Sequence, residues 1–121
     1  MQLQTIFKIQ AVIFLINALG QLFATEMFLE MAEMEITPSL MALGQFMGST
    51  FIFLALVLWK TSELEGSTIK MFGSIWAIGS LIWAATIAYH VYLGLAGGAT
   101  AYVNMAIFVV FAVLYYTTSK K

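Results

Sequence analysis

Two tryptophans and the only histidine of this chain recur at seven-residue intervals, Trp76, Trp83 and His90. Seven residues on an α-helix drift by only about 20°. The two indoles and the imidazole therefore share one stripe, with Gly79, Ser80 and Ile87 beside it. One reading is a packing face that ends in an interfacial histidine. His90 lies about 30 Å along the helix from Lys70, close to the outer headgroups, where an imidazole is well tolerated. A second reading is a slot for a flat or lipophilic ligand such as a quinone, haem, carotenoid or chlorin. His90 would then be a hydrogen-bond partner or axial ligand. A proton relay through His90 is the third.

Four amides form a second group. Asn17 and Gln21 are four residues apart and share a helix face. Gln45 and Asn104 sit near the outer ends of two other spans. Amides in hydrocarbon seek partners, so these four are expected to face the interior. As interhelical links they contribute about 0.6 kcal/mol each. As a functional group they would line a shared polar pocket open toward the outer face, or a pore formed by oligomers.

Small residues mark a third pattern. Gly44 and Gly48 make one small-xxx-small step, and Gly73, Ala77, Ala84 and Ala88 make a longer small stripe. Such stripes let backbones approach closely, either inside one bundle or against a partner subunit. Glu26, Glu30 and Glu33 would share a face if their segment is helical. They lack the oxygen spacing and glycine of a calcium loop, so a solvated acidic surface is expected.

Other chemistries lack their residues. The chain has no cysteine, no aspartate, no arginine and one histidine. Thiolate chemistry is thereby excluded, and a self-contained transition-metal site lacks the usual three or four ligands. A net charge of −1 gives no footprint for nucleic acid. General acid–base catalysis needs positioned titratable groups, and the apolar spans hold only His90, at their edge. The chain reads as no enzyme and as a protein with no resident metal.

The elements that must position these residues are set by hydropathy. Of 121 residues, 62% are hydrophobic and 9% charged, against about 25% charged in a soluble domain. Lipid is the solvent that fits. Four apolar runs, residues 5–29, 38–59, 71–93 and 100–116, are each long enough to cross about 30 Å of hydrocarbon as helix. Helix is required because open strands leave backbone groups unpaired in lipid. The expected fold is an all-α integral membrane four-helix bundle formed by one domain. Thr37 is expected to cap the second span, with Pro38 at its first helical position. Residues 26–35 either prolong the first helix or lie along the membrane surface.

Charge sets the expected orientation. Lys8, Lys60, Lys70, Lys120 and Lys121 all fall at one set of helix ends, while Glu26, Glu30, Glu33 and Glu35 crowd the other. The positive-inside rule places both termini in the cytoplasm. Trp59, Tyr115 and Tyr116 fit the cytoplasmic aromatic belt, and Tyr89, Tyr92 and Tyr102 the outer one. The run after Lys8 continues to Phe28 without a cleavage pattern, so it reads as a retained span.

The start Lys8-Ile9-Gln10-Ala11, the block Thr37 to Trp59 with Gly44, Phe46 and Gly48, and the opening Tyr102-Val103-Asn104 resemble small bacterial inner-membrane proteins with four helices. That resemblance implies fold and topology and carries no activity. Where those proteins often have a proline-containing turn after the first helix, this chain has Ala24-Thr25-Glu26. Taken together, these features point first to a non-catalytic accessory or assembly subunit, packed against a larger membrane complex or against itself. The alternatives are a binder of a lipophilic cofactor or pigment, and a small oligomeric transporter or channel.

Overall fold

The computed structural model describes residues 1–121 and contains five helices: α1 (Leu3–Phe23), α2 (Thr25–Met31), α3 (Pro38–Thr61), α4 (Gly66–Tyr92) and α5 (Gly98–Ser119). All but α2 are long and apolar enough to span a bilayer, with mean hydropathy of 1.6 to 1.9. The protein is an all-α, multi-pass membrane bundle. Its outer surface carries Phe23, Phe46, Phe53, Ile78 and Ile82 in exposed positions, where lipid replaces water as their surroundings.

The first span departs from its expected limits. Residues 5–29 are not one helix, because the chain leaves helical geometry at Ala24 (φ −132°, ψ 46°) and restarts as α2. On a straight helix Gly20 and Phe28 would be about 12 Å apart. A Cβ at Gly20 would instead lie 3.6 Å from Phe28 Cδ2, so α2 folds back over the end of α1. Thr25 Oγ1 donates to the Gln21 carbonyl at 2.5 Å and anchors the bend. The α2 helix closes with a Schellman arrangement, in which Met34 N–H donates to Leu29 O and Glu33 takes φ 54°. Glu33 therefore lies beyond the helix and does not share a helical face with Glu26 and Glu30.

The other boundaries shift outward. Thr37 Oγ1 accepts from Leu40 N–H at 3.1 Å, and Pro38 opens α3. The turn after α3 contains only Ser62 to Glu65, so α4 begins five residues before Met71. Hydropathy marks where hydrocarbon ends, whereas backbone hydrogen bonding continues into the headgroups. The α4 helix ends like α2, with Leu95 N–H donating to His90 O across Gly94 at φ 75°. The left-handed conformation there suits glycine.

The four long helices associate as two close pairs, α1 with α3 and α4 with α5. Glycine and small residues make both approaches possible. A Cβ at Gly48 would sit 2.8 Å from Leu22 Cγ and 3.1 Å from the Ala18 carbonyl oxygen, and one at Gly44 3.1 Å from Thr25 Cγ2. Gly73, Ala77 and Ala84 are buried along α4, and a Cβ at Gly73 would collide with Ser119 of α5. These stripes serve packing within the chain. Ala88 is exposed and stands apart from the buried stripe.

Between the pairs, large aromatics fill the space that backbones leave open. Phe14 of α1 meets Phe51 of α3, Trp76 and Trp83 of α4 and Phe108 of α5, with ring centroids 4.9, 6.1, 6.3 and 5.9 Å away. Below this layer, Tyr115 O–H donates to Gln10 Oε1 at 2.6 Å, with both side chains fully buried. Tyr115 therefore belongs to the core and not to the aromatic belt, where Trp59 and Tyr116 are exposed. Gln10 Nε2 has no partner, which leaves the Tyr115 bond as this amide's one link in the core.

Both termini and the α3–α4 turn gather at one end. Met1, Gln4, Gly66, Lys70 and Lys121 border a common cleft there, and Gln4 Nε2 donates to Leu64 O at 3.3 Å. Lys8 Nζ lies 5.6 Å from the Trp59 ring at the same end. At the opposite end Gly97 N–H donates to Ala32 O at 2.7 Å. This bond ties the two outer connections together.

Candidate functional site

In the half of the bundle away from the lysines, the two helix pairs enclose a cavity of about 320 Å³. Its floor is aromatic, built from Phe14, Phe51, Trp83 and Phe108. Phe28 and Ala32 of the folded-back α2 segment, with Ala96 from the α4–α5 connection, contribute to its outer end. The bend at Ala24 thus has a role in the site, because a straight first helix would carry Phe28 past it.

Six polar side chains line the cavity: Asn17 and Gln21 of α1, Thr86 and His90 of α4, and Thr100 and Asn104 of α5. The first helix and the last two bring them together. Gln21 is buried, Asn17, Thr100 and Asn104 are half-buried, and Thr86 and His90 are exposed at the rim. The α3 and α4 helices make almost no close approach to each other, so the bundle is least tightly closed on that side. Asn17, Phe28, Thr100 and Asn104 also line a shallower groove between α1 and α5.

The sequence-predicted residues are distributed as follows. Asn17, Gln21, Asn104, His90 and Trp83 share the cavity. Gln45 is exposed and lies in a separate cleft with Leu22, Glu26, Glu30 and Met41. It points away from the other three amides because its register on α3 faces the outside of the α1–α3 pair. Trp76 lies on the lysine side of the aromatic layer and does not line the cavity.

The two tryptophans of the stripe pack against the protein's own aromatic rings. The Trp83 indole stacks with Phe51 (5.1 Å, 25°) and with Phe108 (5.1 Å, 8°). The indole is half-buried and also lines the cavity floor. His90 stands apart, its ring 5.7 Å from that of Tyr89 and without a hydrogen bond to the rest of the chain. Along the Trp76–Trp83–His90 stripe, Trp76 lies below the cavity, Trp83 in its floor and His90 at its rim.

The amides do not act as links between helices either. Asn17 Nδ2 donates to the Ile13 carbonyl at 3.3 Å, and Asn104 Nδ2 to the Thr100 carbonyl at 2.8 Å, each on its own helix. The interhelical side-chain bond is Tyr115–Gln10. Sequence reading passed over Gln10 as part of the opening motif. The signal was present, because Gln10, Phe14, Asn17 and Gln21 follow one another on a single helical stripe.

Thr86 and Thr100, the remaining polar residues of the wall, also escaped sequence reading, since threonine in an apolar helix commonly bonds its own backbone. The acidic end shows no site. Glu26, Glu30, Glu33 and Glu35 are exposed, and no three histidine or carboxylate side chains converge as metal ligands. Compared with family models, with curated proteins and with solved structures, the chain matches none, so its own geometry carries the functional argument.

Proposed function

We propose that this protein is a non-catalytic membrane receptor for a small amphipathic molecule, held in the cavity between the two helix pairs. The observation that carries this reading is the convergence of Asn17, Gln21, His90, Thr100 and Asn104 above an aromatic floor. A small ligand site combines an apolar lining with a few placed polar groups, and cavities of about 300–1,000 Å³ accommodate one. The polar groups are not needed to hold the helices together, since both asparagines bond their own helices. His90 is the only titratable side chain on the wall, which supports binding over acid–base chemistry. Assembly on a partner through small-residue stripes has less support, because Gly44, Gly48, Gly73, Ala77 and Ala84 pack against neighbouring parts of the same chain.

The test is solvent extraction and mass spectrometry of protein purified in mild detergent at native expression. A lipophile of defined mass should accompany the native chain in near-stoichiometric amount. Thr86→Trp, which projects an indole from the rim into the cavity, should reduce it at least tenfold without altering the helical spectrum. Recovery of bulk phospholipid only, equal for both proteins, would refute the reading.

The same reading places the cavity in the outer leaflet of a bacterial plasma membrane, with both termini in the cytoplasm. The five lysines at the end opposite the cavity support this. Cysteines introduced at Ser67 and Ala99 provide the check. An impermeant maleimide added to intact cells should label the Ala99 site alone, and labelling of Ser67 would reverse the orientation.

A further inference from the structure

The hydrogen bonds of the cavity wall bias it toward one kind of ligand. A backbone carbonyl accepts hydrogen bonds and cannot donate them. The bonds to Ile13 O and Thr100 O therefore fix the NH₂ ends of Asn17 and Asn104 against their own helices. This determines the orientation of each amide by the chemistry of its partner. Each Oδ1 is left without a hydrogen bond, and neither is among the fully buried orphan atoms. Thr86 behaves alike, with Oγ1 donating to Ile82 O at 2.8 Å, so its hydroxyl proton is committed and its lone pairs are free.

The free valences can be counted. An amide whose NH₂ is half engaged keeps two acceptor sites and one N–H, and the engaged threonine keeps acceptor sites alone. Gln21, Thr100 and His90 offer both kinds and do not reverse the balance. No lysine lines this wall, and arginine is absent from the chain. An anionic group would meet carbonyl and hydroxyl oxygens without a fixed positive charge, and its desolvation would go uncompensated. An uncharged ligand with a hydroxyl proton meets partners.

Resting on the binding role proposed above, we infer that the cavity selects hydrogen-bond donors. Its ligand is an uncharged amphiphile bearing a hydroxyl group. That hydroxyl is anchored on the Asn17 and Asn104 carbonyl oxygens, and its apolar body lies on Phe14, Phe51 and Phe108. A free lipophilic alcohol or phenol and the glycerol hydroxyl of a neutral glycerolipid both carry this chemistry.

The experiment uses the full chain in phosphatidylcholine nanodiscs. It is titrated with 4-hexylphenol or with 4-hexylanisole, the methyl ether of the same skeleton. Tryptophan emission is followed, with affinities expressed per mole fraction of probe in the bilayer. The phenol should bind at least tenfold more tightly than the ether, because a site built to bond a hydroxyl rejects the analogue that lacks it. The Asn17→Leu/Asn104→Leu double variant should bring the two within about twofold. Those amides bridge no helices, so an unchanged helical spectrum is expected, and the ratio measured on the native chain decides the matter without the variant.

Equal binding of both probes would overturn the donor preference and leave the receptor role standing. Binding of neither probe, with no lipophile recovered from the native protein, would remove the receptor role itself. A phenol preference in the native chain that competes with added dioleoylglycerol, an uncharged lipid with a free hydroxyl, would support the inference and assign the hydroxyl to a neutral glycerolipid. The same preference without competition would support it and assign the hydroxyl to a free lipophile.

Discussion

Phe14→Ala is expected to be among the most damaging single substitutions in this bundle. Phe14 is fully packed, and its ring meets aromatics from all three other long helices. In a soluble core, truncating such a phenylalanine costs about 3–5 kcal/mol. Separated helices in a bilayer keep their side chains in lipid, so the water-transfer part of that cost falls away. The packing part remains, because Phe51, Trp76 and Phe108 each lose the ring that fills the space between them. A loss of about 2–3 kcal/mol is the expectation. Unfolding by titration with sodium dodecyl sulfate, followed by tryptophan emission, measures it. An unchanged midpoint would show that the aromatic layer does not hold the helix pairs together.

Gly48→Val should separate α3 from α1. The added Cβ would lie 2.8 Å from Leu22 Cγ, 3.1 Å from Ala18 O and 3.2 Å from Gln21 Cβ. Leu22 can adjust its rotamer, but the Ala18 carbonyl belongs to a hydrogen-bonded helix and cannot. Overpacking of this kind costs about 1–3 kcal/mol, and the branched valine adds to the crowding. The matched control is Gly79→Ala. Nothing lies within 4 Å of a Cβ there, and alanine favours helix over glycine by about 0.8–1.0 kcal/mol. The same detergent titration should show Gly48→Val unfolding early and Gly79→Ala holding or gaining stability. If Gly79→Ala proved the more harmful, that face of α4 would be occupied by another subunit, and the assembly reading would return.

The two substitutions also separate what holds this protein together. Within each pair, backbones approach closely through glycine and alanine. Between pairs, contact is made by aromatic rings that extend across a wider gap. The gap narrows to a filled layer at Phe14 and Trp83 and opens above it into the cavity. A protein of this size that packed all four helices by small residues would have no such space. Here the long reach of the aromatics supports both the bundle and the binding site.

Local chemistry explains why much of the architecture was legible. Four spans could be read because hydrocarbon thickness imposes a run of apolar residues, and that run is contiguous in sequence. Thr37-Pro38 and Gly94 marked helix ends because capping and left-handed backbone depend on the residue at the position itself. The break at Ala24 was not legible, since alanine is the strongest helix former and no proline or glycine stands there. That bend depends on distant partners, with Thr25 seated under Gly44 and Phe28 folded over Gly20.

The sequence alone determined the number of spans, the start of the second at Pro38, and that all five lysines gather at one end while four of the six acids lie at the other. Only the tertiary structure decided that Asn17, Gln21, Asn104 and His90 face one cavity while Gln45 does not, and that Trp83 stacks on Phe51 and Phe108. The physical reason is rotational. In water an apolar stripe reveals the inward face of a helix, but in lipid every face is apolar. Each helix's rotation about its own axis is then set by side chains meeting across the bundle.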